Sequence, residues 1–330
     1  MTATTTAAAA AAAVTKSPSS FAVEPIASIV KEVQKYVVGM EEELWLGCLA
    51  IVSGGHILIE GPPGTGKTLM AKNLTSAMGG EFRRVQMTPD LLPSDIIGMN
   101  VYNIGTGTWH VRKGPIFANV VLLDELNRAT PRTQAAFLEA MQEGQVTIEG
   151  TTYAMPKPSF FVATQLPAGG EGTYPLTEVQ ADRFAYSERT GLPARERELE
   201  IMRRADMNES QVASRVADPA GIAALMEEVR GVQVSPRVMG YIMAVVERVR
   251  AMPELRSPPG PRASVWLYRG ARAAAFLSGR GYAVPDDVKA VAENVLAHRI
   301  RVKPEYYGEE QAEPGSLVRR ALREVEVPKE

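Results

Sequence analysis

The stretch GPPGTGKT, from Gly61 to Thr68, has the residue types and spacing that bind phosphate groups. Its glycines lack a Cβ atom, so the backbone can wrap around phosphate oxygens with successive N–H groups pointing inward. Lys67 supplies a positive charge for β and γ phosphates, and the hydroxyl of Thr68 can ligate Mg²⁺. The nucleotide-binding residues predicted in this phosphate loop are Gly61, Pro62, Pro63, Gly64, Thr65, Gly66, Lys67, Thr68 and Leu69.

A second motif, VVLLDELNR at residues 120–128, ends an apolar run in two carboxylates. Alone, such a pair could be solvated acids at the end of a strand. Here it follows a phosphate loop at the spacing of a neighbouring strand, which favours a catalytic interpretation. Asp124 is expected to join Thr68 as a Mg²⁺ ligand, and Glu125 is expected to polarise the attacking water. The two motifs together predict a metal-dependent attack of water on a bound polyphosphate.

The elements around these motifs are typical of an α/β domain. The apolar run HILIE precedes the phosphate loop, and KTLMAKNLTSAMGG after it has a helical pattern that ends at two glycines. Four more apolar runs have the length of strands: FRRVQM, NVVLLDE, SFFVATQ and RFAYSE. Because such runs are apolar on both faces, they predict a doubly wound parallel sheet with helices on each side.

From about Leu192 the pattern changes to long helical segments without strand alternation. The sequence therefore predicts an α/β core at residues 21–191 and a smaller, all-helical lid domain at 192–330, joined through TGLP at 190–193. The alanine-rich residues 1–20 are expected to be a disordered tail. They lack the basic segment and leucine-rich core of a secretion signal.

Composition narrows the possible partners and compartments. The formal net charge of −2 produces no general attraction to nucleic acid or to an acidic membrane. Cys48 is the only cysteine, so an intrachain disulfide is impossible. No stretch reaches the roughly twenty apolar residues of a spanning helix, so membrane insertion is not expected. These features favour a cytoplasmic protein.

The motifs GPPGTGKT, TPDLLPSDIIG, VVLLDELNR, EGTYPLTEVQADRF and PDDVKAVAENVLAHRI occur in one order. In this series the chain resembles the MoxR family of AAA+ ATPases, from about Glu24 to about Arg301. The resemblance implies a ring-forming ATPase, usually hexameric, with a chaperone-like role in assembling or activating a protein client. It also implies a partner that bears a von Willebrand factor A domain.

The resemblance also implies roles for two arginines. Arg183, in ADRF, matches the arginine finger that a neighbouring subunit supplies to the γ phosphate, although an isolated arginine would more simply be a surface residue. Arg262, in GPRAS, matches the sensor-2 arginine that reaches from the lid to the bound nucleotide. That contact would couple the angle of the lid to the nucleotide state.

One position departs from the family pattern. Relatives carry ATQNP after the fourth core strand, whereas this chain has ATQLP, with Leu166 in place of the sensor-1 asparagine. Leucine cannot bond a phosphate or orient a water. Either Gln165 or Thr164 substitutes, or hydrolysis is slow, and the second case would make the protein an ATP-binding regulatory scaffold. A nucleic-acid motor is a weaker alternative because the chain has no obvious basic stripe.

Two hairpins are expected between the core strands. The first spans residues 100–114 with Gly105 and Gly107 at its turn, and the second turns near Glu149 and Gly150. The resemblance places the first hairpin at the ring pore. Trp109 then either contacts a client or packs on its own domain, and the sequence leaves both open.

Overall fold

The computed structural model describes residues 21–166, 172–204 and 211–328, so the predicted tail at 1–20 lies outside the described residues. The strands are β1 Ile57–Glu60, β2 Phe82–Gln86, β3 Gly98–Asn103, β4 Thr108–Lys113, β5 Val120–Asp124, β6 Gln145–Ile148, β7 Thr151–Ala154, β8 Phe160–Gln165, β9 Tyr186–Arg189, β10 Leu255–Ser257 and β11 Arg301–Val302. The helices are α1 Ile26–Val33, α2 Glu41–Ser53, α3 Lys67–Ala77, α4 Pro93–Ile97, α5 Pro131–Gln134, α6 Leu138–Glu143, α7 Glu178–Ala181, α8 Arg195–Arg203, α9 Pro219–Arg230, α10 Pro236–Arg250, α11 Pro261–Leu277, α12 Pro285–Leu296 and α13 Pro314–Glu324.

The core is a five-stranded sheet in the order β2-β5-β8-β1-β9, in which every neighbouring pair is parallel. All five strands come from the apolar runs that predicted them. Alternate residues of one strand serve opposite faces: Val120 and Leu122 join one buried cluster, and Val121 and Leu123 join another. The predicted doubly wound parallel sheet is therefore confirmed.

Helix α2 lies between the sheet and the lid. Every residue from Leu44 to Val52 is buried, and the helix contacts β1 and β9 on the sheet as well as α9 and α11 in the lid. After α2 the chain passes Gly55, where an added Cβ would lie 2.5 Å from the side chain of Ala185 and 3.2 Å from that of Trp266. Core and lid therefore share one continuous apolar cluster.

The lid is largely helical, as predicted. Its helices α9 to α13 each begin with proline in the first turn, where the missing N–H costs no hydrogen bond. The expectation of an all-helical lid needs one correction, because β10 and β11 form a short antiparallel pair. Strands this short leave no alternation to detect in the sequence. The domain boundaries at 191 and 192 stay a prediction.

Two further antiparallel pairs are the predicted hairpins. Strands β3 and β4 pair from Gly98–Lys113 to Asn103–Thr108, and β6 pairs with β7. The second turn holds Glu149 and Gly150 at φ values of 45° and 86°, in the left-handed region. Among the helices of the described residues, none combines the length and the apolar character that crossing a bilayer requires.

Candidate nucleotide-binding site

The phosphate loop joins the end of β1 to the start of α3. Gly64 and Gly66 have φ values of 78° and 91°, which side chains rarely adopt. At Gly61 an added Cβ would lie 2.0 Å from the hydroxyl oxygen of Thr190. Glycine is therefore required at all three positions, and the N-terminus of α3 lies directly behind the loop.

Lys67 opens α3 and is buried, with 8% of the residue exposed. Its ammonium donates to the carbonyl of Pro62 at 2.7 Å and to the hydroxyl of Thr65 at 2.9 Å. Burial lowers the pKa of Lys67, while the carboxylates of Asp124 and Glu43 act in the opposite direction. A polyphosphate beside the ammonium would favour its charged form further, so the position suits an anionic ligand.

A carboxyl group that the sequence did not indicate lies near this lysine. Glu43 is half-buried in the first turn of α2. Burial, with smaller contributions from the neighbouring carboxylates of Glu188 and Glu42, raises the pKa of Glu43 to about 7. Glu43 therefore changes its charge near neutral pH, and its carboxylate is close enough to Lys67 to raise the pKa of that lysine.

The acidic pair lies at the end of β5. The hydroxyl of Thr164, on β8, donates to Asp124 Oδ1 at 2.6 Å and accepts the backbone N–H of Glu125 at 2.8 Å. Glu125 has φ 56° and ψ 49°, a left-handed conformation that is uncommon outside glycine. Thr164, one of two residues considered as substitutes for sensor 1, thus positions both acids.

Strand β2 contacts the same acids from the other side. Arg84 Nη2 and Nε lie 2.6 Å and 3.0 Å from Asp124 Oδ2. Gln86 Nε2 donates to Glu125 Oε2 at 3.1 Å, and Arg128 Nε is 3.3 Å from that same oxygen. Neither Arg84 nor Gln86 is among the residues predicted from the sequence. Both are exposed on β2, on either side of the buried Val85, and that alternation is the one local signal they carry.

Leu166 and Gln165 follow on β8 and the loop after it. The side chain of Asn127 binds the backbone of Leu166 twice, accepting its N–H at 3.1 Å and donating to its carbonyl at 3.0 Å. Gln165 Nε2 donates to Glu60 Oε2 at 2.8 Å. The backbone at the sensor-1 position is thus fixed, although its side chain carries no polar group.

The residues present fit Mg²⁺ and ATP. Thr68, in the first turn of α3, and Asp124 offer hard oxygen donors, which Mg²⁺ prefers. Within residues 21–166, 172–204 and 211–328 there is no cluster of three His, Cys, Asp or Glu residues that could hold a metal without help. Mg²⁺ usually takes one or two protein carboxylates together with substrate phosphates and waters.

Arg183 lies at the N-terminal end of the parallel strands, whereas the phosphate loop lies at their C-terminal end. The N–H of Ala185, two residues later, donates to the carbonyl of His56 just before β1 at 3.0 Å. The guanidinium of Arg183 donates to the side chain of Gln142 at the end of α6. The phosphate loop follows the opposite, C-terminal end of β1. The 4 residues of this strand span about 13 Å at about 3.3 Å per residue. Arg183 thus lies away from the loop of its own chain.

Arg262 lies beside Arg183 rather than beside the phosphate loop. Its Nη1 donates to Asp182 Oδ2 at 2.7 Å, and Arg299 Nε donates to Asp182 Oδ1 at 2.8 Å. The contact between Arg262 and a bound nucleotide stays a prediction. Helix α12 packs along the edge strand β9, which brings the start of α11 to the N-terminal end of the sheet.

Known protein families match both the core and the lid of this chain. The family described as "ATPase family associated with various cellular activities (AAA)" matches residues 56–186, and an AAA lid domain matches residues 248–319. Chaperone MoxR1 of Mycobacterium tuberculosis is 36% identical over 315 residues, which cover 93% of this chain and 83% of that protein. The chain belongs to the MoxR family of AAA+ ATPases.

The MoxR-family similarity extends over core and lid together. The uncharacterized protein YeaC of Bacillus subtilis is 38% identical over 308 residues, covering 92% of this chain and 95% of YeaC. A crystal structure of a Cytophaga hutchinsonii protein assigned as an ATPase superposes with a TM-score of 0.84 at 38% identity, covering 92% and 94% of the two chains. Membership of this ATPase family implies a bound nucleotide and, typically, Mg²⁺.

Proposed function

We propose that this MoxR-family protein hydrolyses ATP with Mg²⁺ in a ring of identical subunits, and that hydrolysis drives the remodelling or activation of a protein client. The observation that carries the proposal is the position of Arg183. It lies at the end of the sheet opposite the phosphate loop of its own chain, which supports a role at the nucleotide of another subunit. The name of the relative Chaperone MoxR1 supports the client-directed part.

In this reaction the loop amides and Lys67 would bind the β and γ phosphates, and Thr68 and Asp124 would hold Mg²⁺. A bound Mg²⁺ would supply positive charge against the negative charge that develops on the phosphate oxygens. Glu125 accepts a proton from the attacking water. Its left-handed backbone, its N–H bond to Thr164 and its contact with Gln86 fix the carboxylate in place.

The neighbouring subunit completes the site. Arg183 neutralises charge on the γ phosphate across the interface, a contribution that is worth about 10³ to 10⁵ in rate among GTPases. Arg262 donates to Asp182, the residue before Arg183 in the chain. Both arginines would therefore approach the same nucleotide, the one bound by the neighbouring subunit. The lid of one subunit therefore responds to the nucleotide of the next, rather than to its own.

The hairpin of β3 and β4 is the surface that we assign to the client. Trp109 is 69% exposed and Ile104 is 89% exposed. Trp109 also packs against Tyr102 of its own hairpin, with the ring centroids 5.2 Å apart. A paired, exposed aromatic surface suits a peptide client at a ring pore. A hexamer and a partner with a von Willebrand factor A domain complete the proposal.

Mixing two inactive variants tests the shared site. Lys67→Ala removes the phosphate-binding ammonium and Arg183→Ala removes the finger, so each alone is expected to lose about a thousandfold in turnover. Mixed rings place an intact loop beside an intact finger, and phosphate release should return. Mixing Lys67→Ala with Glu125→Gln is the matched control. Both defects lie in the same half of the site, so no activity should return.

Two results would contradict the proposal. One is a Lys67→Ala and Arg183→Ala mixture that stays inactive although size-exclusion chromatography shows assembled rings. The other is a wild-type turnover per subunit that stays constant when the protein is diluted until the ring dissociates.

A further inference from the structure

Arg84 makes a contact that the proposed reaction does not use. It lies on the edge strand β2 and reaches across to the end of β5, where two of its nitrogens donate to the same oxygen, Asp124 Oδ2. The side chain of Asp124 is 15% exposed and that of Arg84 is 48% exposed. The pair is therefore partly shielded from water on the carboxylate side.

Both oxygens of Asp124 are engaged in this arrangement. Arg84 binds Oδ2, while the Thr164 hydroxyl donates to Oδ1 at 2.6 Å. A divalent cation needs lone pairs of the same carboxylate, and it is repelled by a guanidinium beside it. Arg84 and a cation at Asp124 are therefore competitors for one ligand.

The contact continues to the catalytic glutamate. Arg84 Nη2 donates to Gln86 Oε1 at 2.6 Å, and Gln86 in turn donates to Glu125 at 3.1 Å. Release of Arg84 from Asp124 would therefore also change the surroundings of Glu125.

We propose that Arg84 is a built-in competitor of the divalent cation at Asp124 and sets the Mg²⁺ concentration at which the site takes up Mg²⁺ with nucleotide. This inference rests on the proposed ATPase function. Arg84 acts through Asp124 and is a positioning residue. Its removal should strengthen Mg²⁺ binding, the opposite of the loss expected when a residue that only supports the site is removed.

The test measures binding of a fluorescent ATP analogue by the full-length protein across a Mg²⁺ titration. Arg84→Gln should lower the Mg²⁺ concentration at half-maximal binding by about threefold, the size expected for a partly exposed ion pair. Arg84→Lys should shift it less, because an ammonium keeps the charge but loses the paired donation of two guanidinium nitrogens to Asp124 Oδ2. Arg83→Gln is the matched control, since Arg83 pairs with Glu81 at 2.6 Å.

A double variant separates the mechanism from a structural effect. In an Asp124→Asn background the ligand is already lost, so adding Arg84→Gln should leave the Mg²⁺ dependence unchanged. A half-maximal concentration for Arg84→Gln that is unchanged or higher than wild type would overturn the inference. If Arg84→Gln does not fold, Arg84→Lys decides by the same criterion. Failure of wild-type protein to bind the analogue at any Mg²⁺ concentration would instead reject the proposed function.

Discussion

The hydroxyl of Thr164 lies 2.6 Å from Asp124 Oδ1 and donates to it. The hydroxyl oxygen of Thr164 also accepts the N–H of Glu125, so this one buried side chain connects the proposed metal ligand with the proposed catalytic base. The connection crosses from β8 to β5, two neighbouring strands of the sheet. It gives the site a polar anchor next to Leu166, where the family has an asparagine.

Thr164→Val should separate catalysis from binding. Valine keeps the shape of threonine but leaves Asp124 Oδ1 and the N–H of Glu125 without their partner. We expect turnover to fall by about tenfold or more while ATP affinity changes little, measured by steady-state phosphate release and by equilibrium binding. Thr164→Ser keeps the hydroxyl and should remain near wild type. Equal losses in both variants would show that packing, rather than the hydroxyl, matters.

Glu125→Gln should bind ATP and stop at that stage. The amide keeps the size of the side chain but cannot accept the proton of the attacking water. Turnover should fall by about a hundredfold or more, and ATP should remain bound in an assembly that size-exclusion chromatography resolves. Retention of most of the wild-type turnover would remove Glu125 from its proposed role.

Leu166→Asn tests whether the departure from the family slows the enzyme. Asparagine would add an amide where the backbone is already fixed by Asn127. If hydrolysis is limited at this position, turnover should rise by about tenfold with unchanged ATP affinity, a size typical of one added hydrogen-bonding group. Leu166→Met is the control without an amide. Tight ATP binding with negligible phosphate release in both wild type and Leu166→Asn would favour the regulatory scaffold.

Glu43 should make the stability of the protein depend on pH. Its pKa of about 7 in the folded protein lies above the ordinary value of 4.5, so the folded state binds this proton more tightly than the unfolded state. The associated stability is present below about pH 4.5 and is lost as the pH rises through about 7. Glu43→Gln stays neutral and should lack this loss.

Thermal unfolding of Glu43→Gln at two pH values measures the effect. Relative to wild type, its Tm should rise by about 2–4 °C more at pH 8 than at pH 5. Glu228→Gln is the control, because Glu228 is exposed on α9 and is not among the groups that raise the pKa of Glu43. The same Tm difference at both pH values would contradict a raised pKa of Glu43.

The features that the sequence predicts well depend on residues close together in the chain. The phosphate loop, the acid pair, both hairpins and the five core strands each follow from a short motif or run with its own periodicity. Proline and glycine mark their ends. The structure has the five strands and both hairpins where these patterns indicated.

The features that the sequence does not predict depend on pairing between distant segments. Arg84 meets Asp124 only because β2 pairs with β5 in one particular register. Arg262 meets Asp182 only because of how the lid packs along β9. The pair β10–β11 joins residues 255–257 to 301–302 across the intervening helices. No local pattern records such contacts, since each is set by tertiary packing.

Helix α2 has no solvent-facing stripe over most of its length, since the sheet covers one side and the lid covers the other. A change in the tilt of the lid would then either move α2 with the lid or open a void beside α2. A void in a close-packed interior is destabilising. Rearrangement driven by a neighbour's nucleotide is thus expected in discrete jumps between packed states, without a continuum of intermediate tilts.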